Sequence, residues 1–125
     1  MTPLSPATRV RRHLEAALEE LPDQYAEQLD NVSFFIARAL MPRDRRRLKL
    51  GNDTLYGLYE GVPITERTSG YDRVLPDRIT LYWGPLVRDF PDEEALANQV
   101  RITVYHEIAH YFGLSDEDLH ETRVR

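Results

Sequence analysis

The sequence contains no cysteine and carries more acidic than basic residues. Without thiols it can form no disulfide, no cysteine nucleophile and no thiolate ligand, so histidines and carboxylates must hold any metal. Its formal net charge of −5 provides no general attraction to nucleic acids or anionic membranes, whose binding proteins are usually basic. We therefore expect no nucleic-acid partner and a chemistry that depends on histidine and carboxylate groups.

Long apolar runs are also missing. No segment approaches the ~18 consecutive apolar residues of a membrane span, and the arginine-containing N-terminus has no continuous apolar stretch of the signal-peptide type. We therefore expect a cytoplasmic protein without a membrane partner. The length of 125 residues and the hydrophobic content of 42% fit one domain, residues 1–125, with a single core.

The N-terminal segment is predicted to form a helix. Ser5 is suited to be its N-cap, Pro6 to be its first residue, and Pro22 to end it. Five apolar residues recur between them at helical spacing: Val10, Leu14, Ala17, Leu18 and Leu21. This helix is expected to pack one face inward.

The next two stretches are interpreted as a strand and a loop. In NVSFFIARAL, Val32, Phe34 and Ile36 alternate with the residues between them, which is typical of a β-strand and is interpreted here as a central strand. The stretch that follows, MPRDRRRLKLGND, has turn-forming residues at both ends and is predicted to be a loop. Its basic residues are interpreted as solvated surface charge.

Two later stretches also have β-rich composition. LYGLYEGVPITER has two arms around Glu60-Gly61 and predicts a hairpin, whose second arm is expected at a sheet edge because Pro63 cannot donate a ladder hydrogen bond. LPDRITLYWGP predicts a further strand that ends at Gly84-Pro85. One face of that strand is expected to carry Ile79, Leu81 and Trp83.

The longest predicted helix begins at the acids Asp92, Glu93 and Glu94 and runs for about 20 residues until Gly113 stops it. Five residues form its apolar face: Ala97, Val100, Val104, Ile108 and Tyr111. A polar stripe lies roughly opposite and consists of Gln99, Thr103, His106 and His110.

These elements predict an α+β fold. It would contain the N-terminal helix, a twisted mixed sheet of three or four strands, the long helix and a short C-terminal helix. We expect the long helix to pack on the sheet through Val100, Val104 and Ile108.

The long helix carries the HExxH motif. His106 and His110 lie one turn apart, so their imidazole nitrogens can bind one tetrahedral Zn²⁺. Glu107 would lie beside the metal, where it could take a proton from a water and pass it to a leaving amine. The alternative is a merely solvent-exposed stripe. The metal interpretation is favoured because the motif falls on a predicted helix, ends at a glycine and precedes acidic ligand candidates.

The longer stretch HEIAHYFGLSD reads HExxHxxGxxD and resembles the zincin metallopeptidases in which an aspartate supplies the third ligand. The chain more closely resembles a family of small bacterial zincin-like metallopeptidases, over most of Asn31–His120. This resemblance implies a minimal zincin-like domain with zinc on His106, His110 and Asp116. It also implies that Glu107 is the general base.

The sequence departs from larger zincins. Its only methionines are Met1 and Met41, and 12 residues follow Gly113, so we expect no methionine turn beneath the metal. Most of the lower subdomain that would wall the cleft is expected to be missing. We therefore expect a shallow cleft, or one that a partner or oligomer completes.

The residues leave two candidates for the third ligand, Asp116 and His120. The turn at Gly113 can bring Asp116 back toward the histidine pair. Ser115 could instead cap a short terminal helix, which would make Asp116 only a first-turn acid. His120 lies one helical turn beyond and could replace it. Spacing and the resemblance together favour Asp116.

Three functions are compatible with these residues. The first is a zinc-dependent peptidase whose peptide or protein substrate pairs with an edge strand, at Pro63–Arg67 or Ile79–Trp83. The second is a zincin-shaped metal-binding or interaction module with little turnover. The third is a metal-dependent ribonuclease, because a bacterial family of such enzymes spaces its three metal-binding histidines as His106, His110 and Asp116 are spaced here. Glu107 argues against this function, because the nuclease pattern does not require a base at that position.

Four tyrosines could stabilise an oxyanion and are not ranked by the sequence: Tyr71, Tyr82, Tyr105 and Tyr111.

Overall fold

The computed structural model describes residues 3–49, 54–61 and 77–114. Within them the chain forms helices and a mixed three-stranded sheet, so the predicted α+β class is confirmed. The elements are α1 (Pro6–Glu20), α2 (Asp23–Ala26), a 3-10 turn (Glu27–Leu29), β1 (Val32–Ala37), α3 (Pro42–Arg47), β2 (Gly57–Glu60), β3 (Asp77–Tyr82), α4 (Trp83–Asp89) and α5 (Glu93–Tyr111). The second hairpin arm and the short C-terminal helix of the prediction lie outside these residues. None of the described helices is long and apolar enough to span a bilayer.

Helix α1 begins where the sequence predicts. The Ser5 side chain accepts a hydrogen bond from the Thr8 backbone N–H at 3.2 Å, and Pro6 occupies the first turn. Both features satisfy the helix start, because a proline there removes an N–H that would have no intrahelical partner. The helix buries Val10, Leu14 and Ala17.

The sheet has the strand order β1-β3-β2, with β3 parallel to β1 and antiparallel to β2. The central strand of this described sheet is therefore β3, and the prediction that β1 is central is wrong. The reason is that β3 is buried on both faces, whereas β1 has one face partly exposed to solvent. In β1 the alternation leaves Phe35 44% exposed, whereas β3 also buries Thr80 and Tyr82 on the side away from Ile79 and Leu81.

A segment predicted to be a loop and the predicted end of a strand both form helices instead. The stretch interpreted as a loop contains α3, which starts at Pro42 and has Asp44 in its first turn and the basic run 45–47 in its last. This charge order complements the helix dipole. Likewise the predicted stop at Gly84-Pro85 lies in the first turn of α4, where proline is tolerated. Trp83 therefore starts a helix and does not extend β3.

The core lies between the sheet and helices α1, α4 and α5. Its fully buried residues on α5 include Val100 and Val104, and Ile108 is 3% exposed, so the predicted packing of the long helix is confirmed. The core cluster consists of Val10, Leu14, Ala17, Ile79, Leu81, Leu86, Leu96, Val100, Val104 and Ile108. Burial on this scale, at roughly 25 cal/mol per Å² of apolar surface, fixes α5 against the sheet.

Polar contacts also hold α5 in place. Near its start, Arg9 of α1 donates to the Glu93 carboxylate at 2.9 Å, and this bond holds the pKa of Glu93 below its ordinary value. Farther along, the Tyr105 hydroxyl donates to the Ala17 carbonyl at 2.9 Å. Near its end, the Tyr111 hydroxyl donates to the carbonyl of Gln28 at 3.0 Å. The helix is thus attached along its length.

Candidate metal centre

The motif lies on the last two turns of α5, whose ends follow from local sequence. Asp92 caps the start by accepting a hydrogen bond from the Ala95 backbone N–H at 3.0 Å. At the other end Gly113 has a φ of 92°, a conformation that favours glycine. Its N–H donates to the His110 carbonyl, and the Leu114 N–H donates to the Ala109 carbonyl. This pattern is a Schellman motif, and it ends the helix directly after the second histidine.

The two histidines of the motif lie side by side. The ring centroids of His106 and His110 are 4.6 Å apart, with an angle of 69° between the ring planes. Both side chains are partly exposed, so a solvent-borne ion can reach them. The predicted pairing of these residues on one side of the helix is therefore what the structure shows.

Glu107 is only 6% exposed although it carries a carboxylate. Its Oε1 lies 3.2 Å from Nδ1 of His110. The neutral imidazole tautomer with its proton on Nδ1 satisfies this contact, because an ionised carboxylate accepts hydrogen bonds. That tautomer has its lone pair on Nε2, the nitrogen that can bind a metal.

The three motif side chains form a group that fits a divalent metal. One potential ligand atom from each of His106, Glu107 and His110 lies within 4.8 Å of the others. Two nitrogens bound to one tetrahedral zinc at 2.0–2.1 Å are about 3.4 Å apart, so modest side-chain rotation would bring them to ligand distance. Imidazole and carboxylate are also the zinc donors that a chain without cysteine can offer.

A cleft of about 180 Å³ opens beside this group. It lies between the start of β2 and the side of α5 that carries the motif. Its described lining consists of Leu55, Tyr56, Gly57, Gln99, Ile102, Thr103, His106 and Glu107. A metal bound by the histidines would therefore lie at one end of a groove between an edge strand of the described sheet and the motif helix.

Gly57 sets how closely β2 approaches α5. A Cβ atom at this position would lie 2.7 Å from Cγ2 of Thr103 and 3.2 Å from Cδ2 of Leu81, closer than atoms pack without a shift. Any side chain at position 57 would therefore push the strand away from the helix. The glycine keeps the floor of the cleft closed at Thr103.

A family comparison bears on this geometry. The family model described as zincin-like metallopeptidase matches residues 29–124. The chain belongs to the zincin-like metallopeptidase family. No curated protein matches it. In this zincin-like chain the two candidates for the third ligand, Asp116 and His120, lie outside the described residues, so that assignment stays a prediction.

The structure corrects one predicted docking edge of the zincin-like chain. Because β3 pairs with β1 on one side and β2 on the other, the segment Ile79–Trp83 offers no free edge to a peptide. The other predicted edge, Pro63–Arg67, lies outside the described residues. Within the described sheet, β2 is the edge strand that borders the cleft.

The structure shows where three of the four tyrosines considered for oxyanion stabilisation lie. Tyr105 and Tyr111 donate their hydroxyls to backbone carbonyls of other segments, and Tyr82 lies on the face of β3 away from α5. Burial raises the pKa of Tyr82 to about 12. Tyr71 lies outside the described residues. None of the three described tyrosines lines the cleft.

Sequence reasoning missed one feature of the cleft rim. The Tyr56 hydroxyl donates to Oδ2 of Asp89 at 2.7 Å, and Nε of Arg88 donates to Oδ1 of the same carboxylate at 2.8 Å. Both bonds lower the pKa of Asp89, to about 2, and the bond from Arg88 has the larger effect. The hydrogen bond to Asp89 in turn raises the pKa of Tyr56. The contact joins residues 33 positions apart, and no local pattern signals it.

Proposed function

We propose that the protein is a zinc-dependent peptidase. The observation that carries this proposal is the convergence of His106, Glu107 and His110 beside a cleft whose lining includes the first two of them. Family membership supports the same chemistry. A buried carboxylate one residue after the first histidine is poorly explained by an exposed polar stripe, because burying a charge is costly unless a partner stabilises it.

The proposed ligands are His106, His110 and Asp116. The two histidines are presented from successive turns of one rigid helix, so they need little rearrangement to bind an ion. The hydrogen bond between Glu107 and Nδ1 of His110 orients the second ring and favours the tautomer that a ligand needs. Asp116 is proposed from its spacing after Gly113 and from the family resemblance.

Bound zinc would act as a Lewis acid that polarises a carbonyl and makes a nearby water more acidic. Glu107 is proposed as the general base of hydrolysis. One of its carboxylate oxygens accepts a proton from the water as the water oxygen attacks the scissile carbonyl carbon. Glu107 then delivers this proton to the amine nitrogen as the carbon–nitrogen bond breaks. His110 helps by holding the carboxylate in place.

The proposed substrate is an extended peptide or protein segment that lies between β2 and α5. An edge strand offers backbone hydrogen-bonding groups to such a chain, and the cleft beside β2 leads to the motif side chains. We further propose that a partner or an oligomer completes the cleft. We also propose a cytoplasmic location. They rest on the sequence alone.

The test begins with the metal content of protein purified without chelator, followed by digestion of a peptide library with zinc-loaded protein. In the Glu107→Gln variant the amide cannot take a proton, so zinc should stay bound while hydrolysis falls by about 10²-fold or more. Glu94→Gln is the matched control, because Glu94 is an exposed acid in the first turn of the same helix. It should retain both zinc and activity.

Two other outcomes would change the assignment. If Glu107→Gln loses zinc and activity together, the glutamate holds the metal and does not transfer the proton. If the wild-type protein binds zinc but cleaves no peptide, the metal-binding module with little turnover replaces the peptidase.

A further inference from the structure

We infer that the cleft selects a substrate side chain that is uncharged and bears an amide or hydroxyl group, and that Gln99, about two helical turns before His106, recognises it. The inference rests on the proposed function, because it assigns a preference to the same cleft. It concerns Gln99 and Thr103, two residues of the cleft lining that have no role in the proposed hydrolysis.

Gln99 and Thr103 form a polar pair in the cleft wall. Nε2 of Gln99 donates to Oγ1 of Thr103 at 3.2 Å, and the two residues lie about two turns and one turn before His106 on the same helix. Gln99 is partly buried and Thr103 is 6% exposed. Among the hydrogen bonds of the described residues, this is the one that the Gln99 side chain makes. A primary amide has a second N–H and a carbonyl oxygen, which are the groups that a substrate amide or hydroxyl can meet.

The position of this pair is set by the contact between β2 and α5. Gly57 lies against Thr103, so the floor of the cleft is closed at that residue. The remaining described wall is apolar or aromatic and comes from Leu55, Tyr56 and Ile102. A substrate side chain that enters this part of the cleft therefore meets the polar groups of Gln99 and Thr103.

The charges of the lining narrow the preference further. Its described residues include no lysine, arginine or aspartate, and the ionisable groups of the motif, His106 and Glu107, are assigned to the metal centre. A charged substrate side chain would lose water without gaining an opposite charge. An aliphatic side chain would offer no partner to the second N–H and the carbonyl oxygen of Gln99. An uncharged polar side chain avoids both costs.

The size of the cleft agrees with this assignment. A volume of about 180 Å³ is large enough for a side chain of medium size such as glutamine, asparagine or threonine.

The experiment compares wild-type protein with Gln99→Leu, in zinc-loaded form, on a peptide library that varies each position beside the scissile bond. Loss of one hydrogen bond is expected to reduce the preference for glutamine over leucine by about 3- to 10-fold. Gln24→Leu is the matched control, because Gln24 is exposed on α2 and does not line the cleft. It should leave the preference unchanged.

A second variant separates recognition from altered packing. Gln99→Glu keeps the shape of the side chain and adds a negative charge, so the preference should shift toward lysine and arginine. Binding of the same peptides to zinc-loaded Glu107→Gln provides a readout that does not require turnover. In that background the Gln99 substitutions should change affinity in the same order.

The outcomes distinguish the inference from the proposed function. Cleavage with one unchanged preference in wild type, Gln99→Leu and Gln99→Glu would overturn the inference and leave the peptidase intact. Selective peptide binding that depends on Gln99, without cleavage, would support the inference and overturn the peptidase. Absence of both cleavage and peptide binding would overturn both.

Discussion

The buried residues of α5 belong to two sets, one in the hydrophobic core and one in the lining of the cleft. On the core side, Leu96, Val100 and Val104 have no exposed surface and belong to the hydrophobic core cluster. On the cleft side, Thr103 and Glu107 are each only 6% exposed, yet both are polar. Burial on the first side stabilises the fold, whereas burial on the second side costs free energy unless hydrogen bonds offset it. One helix thus provides the stability of the fold on one side and the candidate chemistry on the other.

This difference explains why the helix needs several attachments. A carboxylate beside a histidine pair would be poorly fixed on a marginally packed helix. The bonds from Tyr105 and Tyr111 to distant carbonyls hold the motif turns from the side away from the cleft. The helix can therefore hold the candidate metal ligands in place while the lining of the cleft keeps its polar residues.

The largest predicted effect is a loss of stability when a residue of the hydrophobic core is truncated. Leu96→Ala should lower the free energy of unfolding of the metal-free protein by about 2–5 kcal/mol, because it removes buried methyl groups and leaves a cavity. Denaturant unfolding measures the change. The matched variant on the cleft side is Ile102→Ala, at a residue that is 40% exposed, and its effect should be clearly smaller. Equal losses would show that the two sides do not differ in their contribution to stability.

The next prediction concerns metal affinity and leaves the core unchanged. Asp116→Ala should weaken zinc binding by more than about 10²-fold, whereas His120→Ala should weaken it by no more than about 10- to 100-fold, the range of a residue that only supports a ligand. Calorimetric titration with zinc on both variants provides the comparison. Loss of binding in His120→Ala alone would give His120 the ligand role in place of Asp116.

The smallest predicted effect lies at the exposed rim of the cleft. The pKa of Asp89 is lowered to about 2 from its ordinary 3.8, by hydrogen bonds from Arg88 first and from Tyr56. A lowered folded-state pKa contributes stability that is present above about pH 4 and is lost as the pH falls toward 2.

Thermal unfolding of metal-free wild type and Asp89→Asn should therefore differ most above pH 4 and converge toward pH 2. Asp30→Asn controls for the loss of one negative charge at another exposed site. A difference between wild type and Asp89→Asn that stays constant across this range would show that the rim hydrogen bonds do not stabilise the fold. A small effect is expected because both partners in the Arg88–Asp89 ion pair are accessible to water.

The two long helices and the motif were predictable because their determinants are local. Ser5, Pro6, Asp92 and Gly113 mark helix ends through contacts within a few residues, and the two histidines are four residues apart on one helix. Family membership agrees with the resemblance that the motif suggests. Local sequence was therefore sufficient for the part of the site that a single helix carries.

The rest depends on contacts between distant segments. Strand order follows from which strand has both faces covered, and this is decided by elements elsewhere in the chain. The prolines that begin α3 and lie in the first turn of α4 have the same local appearance as turn prolines. Gly57 carried a usable signal, because a glycine inside a β-rich arm often marks close backbone approach, but its neighbour Thr103 is far away in sequence.

The parallel pairing of β1 with β3 also has a consequence for the order of folding. Val32 pairs with Asp77, so a loop of about 45 residues must close before these strands can stabilise each other. The hydrogen bonds of α5 are local, and they bring the two histidines together without any strand. We therefore expect a refolding chain to acquire the pair of metal donors before the pairing of β1 with β3 completes the sheet.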